Sequence, residues 1–409
     1  MNEADERLEA STFDVLVVGA GIAGAASAAA LSAAGASVAL VDRADFGAGT
    51  SQESSNLIWG GLKYLENGEV GLVSRLCAAR NRLLEAFPTG VREIRFVAAV
   101  DRTATGFTRS ALALLAGGWA YWLFGRGRTK VPRWLGEERL GARAPMLVRG
   151  RFKGALEYSD AVLADHDARF VFSFVREAAR RGAIVRNYLE VAGARRDGDR
   201  WSVDAVDRDG GATRTIRARV LVNAAGPHVD ALNAAVGVST RTRLVFSKGI
   251  HLIVDRIAPD DRVLAFFDER DRPFFVIPLG GRSAIGTTDT SVESPTRTVT
   301  EDDRRFLLDH VNARLDLAAP LTEADVIAER CGVRALAVRG TPAPGESWLA
   351  LSRKHVLEID RERAHLSIFG GKLTDCLHVG EEVVDAVRSL GVAVRPPGRW
   401  FGEPPAARR

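Results

Sequence analysis

The sequence predicts an α/β fold in which a parallel βαβ unit opens the chain and a β-rich insertion precedes completion of the sheet. Three observations predict it. The apolar run Val15–Val18 reads as a buried strand, breaks into Gly19-Ala20-Gly21-Ile22-Ala23-Gly24 and continues as an alanine-rich helix to about Ala34. A second apolar strand, Val38–Val41, then ends at Asp42. Repeated βα units do not follow; from Ile184 to Thr290 most segments instead read as strands. Finally, two more glycine-bearing strand ends, Asn223–Pro227 and Phe369–Lys372, recur far downstream.

Each part of the first unit has a physical task. Gly19 allows a tight turn, Gly21 lets a pyrophosphate approach the backbone, and Gly24 lets helix and strand pack closely. The helix start at Ile22 and Ala23 offers N–H groups and the positive end of its dipole to phosphate oxygens. Asp42, followed by Arg43, can accept hydrogen bonds from a ribose diol. Glycines alone occur in many turns. Strand, glycines, helix, strand and acid in this order within one unit specify a Rossmann-like dinucleotide site.

At 409 residues the chain can bury a full core and is long enough for two joined domains. With 46% hydrophobic and 26% charged residues it falls outside the disordered and membrane-spanning classes. The formal charge of +4 comes from scattered arginines rather than a block, so nothing argues for nucleic acid; an anionic substrate or membrane surface is permitted. Cys77, Cys331 and Cys376 form no CxxC pair and no metal-ligand spacing, so no metal site is expected. The start, MNEADERLEASTFD, has neither a basic n-region nor an apolar h-region, and a cytoplasmic protein is expected. Oligomeric state is not legible.

Residues 1–12 read as a loose tail. Gly47–Gly68 (GAGTSQESSNLIWGGLKYLENG) is too polar for core and reads as a functional loop. It leads into a helix over Val70–Phe87, with Leu72, Leu76, Leu83 and Leu84 on one face and Pro88 as a stop. Glu93–Asp101 reads as a strand. The most hydrophobic run, Ser110–Phe124, is too short to span a bilayer. It is expected to be a core or domain-interface helix, the alternative being a half-buried membrane-surface segment edged by Arg126, Arg128 and Lys130. Asp167–Arg181 reads as a helix, Ile184–Val191 and Trp201–Val206 as a meander, and Val220–Ala225 as another buried strand. The remainder reads as a charged helix over Glu301–Leu315, a strand and loop at CGVRALAVRG, and paired strands at Leu349–Asp360 and His365–Ile368. A final helix over Asp375–Leu390 and an irregular proline-rich tail complete the chain.

This order suits a flavin protein, whose long cofactor is gripped by segments far apart in sequence. Asn223–Pro227 ends a strand in small residues, so backbone can pass close to the dinucleotide at Ala225 and Gly226. Gly370-Gly371-Lys372, before Leu373, Thr374 and a helix, is the third grip; the helix start can stabilise negative charge on a reduced flavin. Non-covalent FAD is the expected cofactor.

The motifs DVLVVGAGIAGAASA, GTSQESSNLIWGGLKYLE, EYSD, LVNAAGPHVD, SKGIHLIV, VIPLGGRSAIGTTDT, GVRAL and FGGKLTD are collinear over about Phe13–Val387. Together they resemble the FAD-dependent glycerol-3-phosphate dehydrogenase family, within the wider group that includes D-amino-acid and glycine oxidases. The resemblance implies a discontinuous FAD domain (13–90, 151–242 and 330–395) with an inserted α+β substrate domain on an antiparallel sheet (91–150 and 243–329). Tails at 1–12 and 396–409 flank them. Cofactor contacts are implied from Thr50, Ser51, Ser54, Ser55, Leu57, Gly60 and Gly61 besides the three grips. The implied reaction is hydride transfer from a secondary alcohol beside a phosphate, with electrons passing to quinone or oxygen. The basic positions that match substrate motifs are Lys63 (beside Tyr64), Arg334, Arg353 and Lys372, with Lys372 nearest the reacting oxygen. His251 matches a family histidine and is a candidate base.

The departures matter as much. Where the family reads SSKLIHGGLRYLE, this chain has Asn56, Trp59 and Lys63. Trp59 replaces a candidate base and cannot take a proton, and Lys63 offers a point charge where arginine would offer a fork. The family's KLTTYR has become KLTDCL, which puts an acid, Asp375, near the expected flavin. The alternative is therefore an FAD oxidase or dehydrogenase of an amine, amino acid, hydroxy acid or biosynthetic intermediate. An amine can react as the free base and needs no residue in place of Trp59. A third reading is a flavin-binding protein without turnover.

Overall fold

A computed structural model describes residues 3–104, 110–267, 272–340 and 354–403. Two sheets organise them. In the first, the strand order is 356–360, 365–369, 213–223, 12–18, 38–41, 184–186. Val15 pairs with Val38 on one side and Val220 on the other, in parallel register. The central segments Val15–Val18, Val38–Val41 and Val220–Val222 are apolar and buried because helices cover the sheet. Helices Ile22–Ala33, Asp167–Arg180 and Cys376–Ser389 share one buried cluster with it, and the run of alanines in the first helix allows a close approach. The meander Leu189–Asp197 and Arg200–Asp207 joins antiparallel, through the strand Thr213–Asn223.

The second sheet has the order 290–292, 242–255, 282–286, 273–279, 262–267, 91–101, 152–163, 57–58. Its pairings are antiparallel except that 262–267 runs parallel to 91–101. Leu57 and Ile58 pair with Val162 and Ala161, so the loop after the first βαβ unit crosses from one sheet to the other. That crossing brings the polar loop over both.

Several expectations need correction. Strands Phe152–Leu163 and Ala328–Arg339 lie in the second sheet, paired with 91–101 and 242–255, rather than on the cofactor side of boundaries at 151 and 330. Both strands carry no break in composition at those boundaries, and only pairing assigns them. Residues 3–10 form a helix, not a loose tail. Leu8 is buried beside Phe13 and Trp201, and Asp5 pairs with Arg186 and Arg214 at 2.9 and 3.0 Å. In the C-terminal tail, Trp400 is buried against Phe174 and over Gly380, although residues 396–403 form no helix or strand. The helix Ala111–Phe124 is only half in the core. Gly118 and Tyr121 are buried, whereas Leu112, Trp119 and Leu123 are 72%, 41% and 63% exposed. No helix among the described residues is long and apolar enough to cross a membrane.

Candidate active site

The carboxyl ends of the parallel strands and one face of the second sheet border a cavity of about 1510 Å³. This exceeds the roughly 300–1,000 Å³ usual for small-ligand pockets. At one end lie Gly19, Gly21, Ile22 and Ala23. Gly19 has φ +101°, and a Cβ there would sit 2.5 Å from the Ala224 carbonyl oxygen, so only glycine lets the two strand ends meet. Helix Ile22–Ala33 starts without a side-chain cap from Gly21, while the Ile22 N–H donates to Ser51 Oγ at 3.0 Å. Gly24 does not line the cavity; a Cβ there would strike the Gly19 carbonyl, which is the helix–strand approach expected of it. Asp42 accepts from the N–H groups of Ala20 (2.6 Å) and Ala44 (2.9 Å) and faces the cavity beside Arg43, Ala225 and Gly226. Burial raises its carboxyl above the usual range against the pull of those two donors.

Thr50, Ser51, Ser54, Ser55 and Leu57 line the middle. Thr50 Oγ1 donates to the Val333 carbonyl at 2.8 Å, and the Ser54 N–H donates to Asp167 at 2.8 Å, tying the loop to the second sheet and to the helix Asp167–Arg180. Gly60 and Gly61, expected at the cofactor, do not line the cavity; they shape the loop. The Gly60 N–H donates to Asp160 (3.2 Å), which also receives Arg80 (2.7 Å) and the Tyr121 hydroxyl (2.6 Å). A Cβ at Gly60 would collide with that hydroxyl. Gly61 takes φ +84° with the Tyr64 ring against it. Asn56 is likewise structural: it is buried at φ 58°, a left-handed position that asparagine tolerates.

Trp59, Lys63, Tyr64, His251, Arg334, Gly371, Lys372, Leu373 and Thr374 line the remainder. The Trp59 ring lies 5.5 Å from Tyr64 and 6.4 Å from Phe275, forming an aromatic wall. Lys63 pairs with Glu66 at 2.5 Å and lies over the Phe267 ring. Arg334 donates to Thr287 Oγ1 at 2.7 Å and the Thr288 carbonyl at 3.2 Å, with Asp289 at 3.6 Å. A Cβ at Gly249 would fall on its guanidinium, so that glycine makes room for it. His251 is 3% exposed, and neither ring nitrogen has a hydrogen-bond partner among the described residues. Burial, then the charges of Arg334 and Arg330, push it down to about 3, so the imidazole is neutral. Arg353 lies outside the described residues.

Asp375 does not face the cavity. It is turned into a cluster in which His355 and His378 approach it at 2.8 Å and Arg75 at 3.1 Å. Those partners outweigh burial and hold its carboxyl well below the usual range. Residues that the motifs did not single out also line the cavity: Arg272, Asp289, Arg297, Lys354 and His228. Asp289 belongs to the GTTDT motif, but which face it takes was not readable from the string.

Residues 14–366 match the family model described as DAO, FAD dependent oxidoreductase. The chain belongs to the DAO family of FAD-dependent oxidoreductases. A relative, glycerol-3-phosphate dehydrogenase 2 of Mycobacterium tuberculosis, is 34% identical over 400 residues, covering 96% of this chain and 66% of the relative. The chain thus spans about two thirds of the length of that relative. The solved glycerol-3-phosphate dehydrogenase of Bacillus halodurans, complexed with FAD, superposes with a TM-score of 0.74 at 27% identity, over 96% of this chain and 68% of that one. Glycine oxidase from Geobacillus kaustophilus, at 21% identity and a TM-score of 0.65, shares the fold over 94% of this chain and 96% of its own.

The DAO-family chain is an enzyme with FAD as its cofactor, and the cleft fits that group. A helix start without its own side-chain cap meets the glycine turn, a carboxylate stands at the second strand end, and a Cβ at Gly21 would come within 3.1 Å of Ser51 Oγ. Gly19, Gly21, Ile22 and Ala23 would hold the pyrophosphate, Asp42 the ribose, and Gly371 to Thr374 the flavin end.

Proposed function

We propose that this DAO-family enzyme dehydrogenates the CH–OH carbon of a small anionic substrate. Glycerol 3-phosphate, oxidised to dihydroxyacetone phosphate, is the best single candidate. One observation carries the reading: the cleft that begins at the glycine turn also holds Arg334, Lys372 and the neutral His251. FAD, when bound, supplies a hydride acceptor. Arg334 has its plane held by Thr287 and Thr288, so a substrate anion meets a cation already oriented. Lys372 binds the reacting oxygen. His251 offers one N–H and one lone pair to the substrate hydroxyl, in a site where Trp59, Tyr64 and Phe275 exclude water. The experiment is a dye-linked dehydrogenase assay with sn-glycerol 3-phosphate beside lactate and glycine. Turnover of the phosphate supports the proposal, and none above the other two rejects it. A second reading, an amine or amino acid substrate, is favoured by Trp59, which leaves no titratable group at that point of the wall; glycine turnover would select it.

For the electron acceptor we propose a quinone, with oxygen as the alternative, reached from the cytoplasmic face of an anionic membrane. What supports this is the outer stripe of Leu112, Trp119 and Leu123, followed by exposed Arg126, Arg128 and Lys130. The three cysteines, all buried free thiols, suit a reducing compartment. Co-sedimentation with phosphatidylglycerol vesicles but not with phosphatidylcholine vesicles, lost in a Leu112→Asp, Leu123→Asp variant, is the expected result.

A further inference from the structure

We propose that residues 293–300 form a strap across the dinucleotide end of the cleft, and that Arg297 on it is a further ligand of the cofactor's pyrophosphate. The segment belongs to no nucleotide-binding motif. It leaves the second sheet after the strand Thr290–Val292 and runs without regular structure to the helix Glu301–Asn312.

The root of the strap is built rather than loose. Thr300 caps the following helix, its Oγ1 accepting from the Asp303 N–H at 3.2 Å. Lys248 pairs with Asp303, and both are buried. The same ammonium donates to the Thr298 carbonyl at 3.1 Å. A buried ion pair is an expensive way to fix a surface connection, and it fixes the residue next to Arg297.

From that root, Pro295 and Arg297 reach the cleft wall. Arg297 Nη1 donates to the Ala48 carbonyl at 3.1 Å. Ala48 belongs to the loop whose Ser51 meets the helix start at Ile22, where the glycine turn expects phosphate. The Arg297 charge is only loosely matched by Glu53 at 3.7 Å, whose other oxygen already accepts from the Cys331 N–H at 3.2 Å.

A second cation converges on this end. Arg43 lines it and lies 3.8 Å from Glu190, also a loose pairing. Burial, then the charges of Arg43 and Arg297, lower the His228 imidazole at the same wall, so both guanidinium fields reach one place. Asp42 is a third acid there, beside Glu53 and Glu190, and it is occupied in bracing the glycine turn. A pyrophosphate is the part of FAD that this charge suits, since a guanidinium forms paired, charge-assisted hydrogen bonds with phosphate oxygens.

The test uses the apoenzyme with FAD and with riboflavin, which carries no phosphate, measuring each Kd by flavin fluorescence. Arg297→Ala should weaken FAD about ten- to hundred-fold and leave riboflavin unchanged. Arg297→Lys should fall between wild type and Arg297→Ala, and added salt should narrow the gap between Arg297→Ala and wild type. An unchanged FAD Kd in Arg297→Ala would overturn the proposal. Equal weakening of FAD and riboflavin, with a lower Tm of the apoenzyme, would overturn it too, because Arg297 would then be only a tie between the strap and the Ala48 loop.

Discussion

Lys372 Nζ lies 2.5 Å from the Tyr64 hydroxyl oxygen and 4.0 Å from the centre of its ring, joining two motifs 308 positions apart in the chain. The ammonium is thereby held on an aromatic face that itself packs against Trp59. The turn after the last parallel strand and the loop that crosses between the sheets thus act as one unit at the substrate end of the cleft.

Removing the charge should be felt in the reaction more than in the fold. Lys372→Met keeps the bulk and should lower kcat/KM by roughly ten- to hundred-fold, the range of a lost charged hydrogen bond of about 1.5–3 kcal/mol. Tyr64→Phe keeps the ring and should lose less. Steady-state kinetics on both variants, with flavin content measured alongside, check this.

Arg334 should act mainly in binding. Arg334→Ala is expected to raise KM about ten- to hundred-fold while the flavin spectrum stays unchanged. Lys63→Arg is the sharper probe, because it restores a fork that can grip phosphate in two places. Turnover of glycerol 3-phosphate should rise in this variant.

Gly19→Ala tests the glycine turn. Its φ of +101° and the Ala224 carbonyl 2.5 Å from an added Cβ leave only backbone to move. Strain of about 1–3 kcal/mol is expected. The variant should melt lower than wild type and lose FAD on gel filtration.

Stability should peak near neutral pH, for reasons that lie in three histidines. His355 is 2.8 Å from both Asp375 and Glu382. Burial alone would lower it, but the two carboxylates outweigh burial and raise it from 6.5 to about 9. The native state therefore keeps a proton that the unfolded state releases above 6.5. This stabilisation is complete below 6.5 and is lost as pH rises through about 9. His251 and His365 run the other way, since burial lowers them to about 3 and about 4. Below 6.5 the unfolded chain binds protons that the native chain refuses, so stability falls as pH drops toward 4 and then 3. Tm measured across pH should show both limbs. His355→Gln should flatten the alkaline limb, lower stability at neutral pH by roughly 2–3 kcal/mol and leave the acid limb in place.

The first βαβ unit was readable in the sequence because its logic is local: Gly19, Gly24 and Asp42 work within 24 residues of one another, and spacing carries the constraint. Lys372, Arg334 and Tyr64 could be placed by motif, but their meeting depends on two sheets. Asp375 shows where the string misleads. Its position predicts an acid at the flavin, yet its direction is set by Arg75 and His355, which the sequence does not mark as neighbours. The helix Ala111–Phe124 shows a related failure, since an apolar run with no polar face does not reveal which side meets the core. Strands Phe152–Leu163 and Ala328–Arg339 changed sheets for the same reason: alternation fixes a strand but not its partner.

The central claim, that this FAD enzyme takes a hydride from a small anionic substrate, is tested most directly by anaerobic titration of the purified holoenzyme with glycerol 3-phosphate while the visible flavin absorbance is followed. Bleaching without dithionite is expected, to the same end point dithionite reaches, with a weaker concentration dependence in Arg334→Ala. A flavin band that dithionite bleaches but that glycerol 3-phosphate and other small phosphates and hydroxy acids leave intact would contradict it.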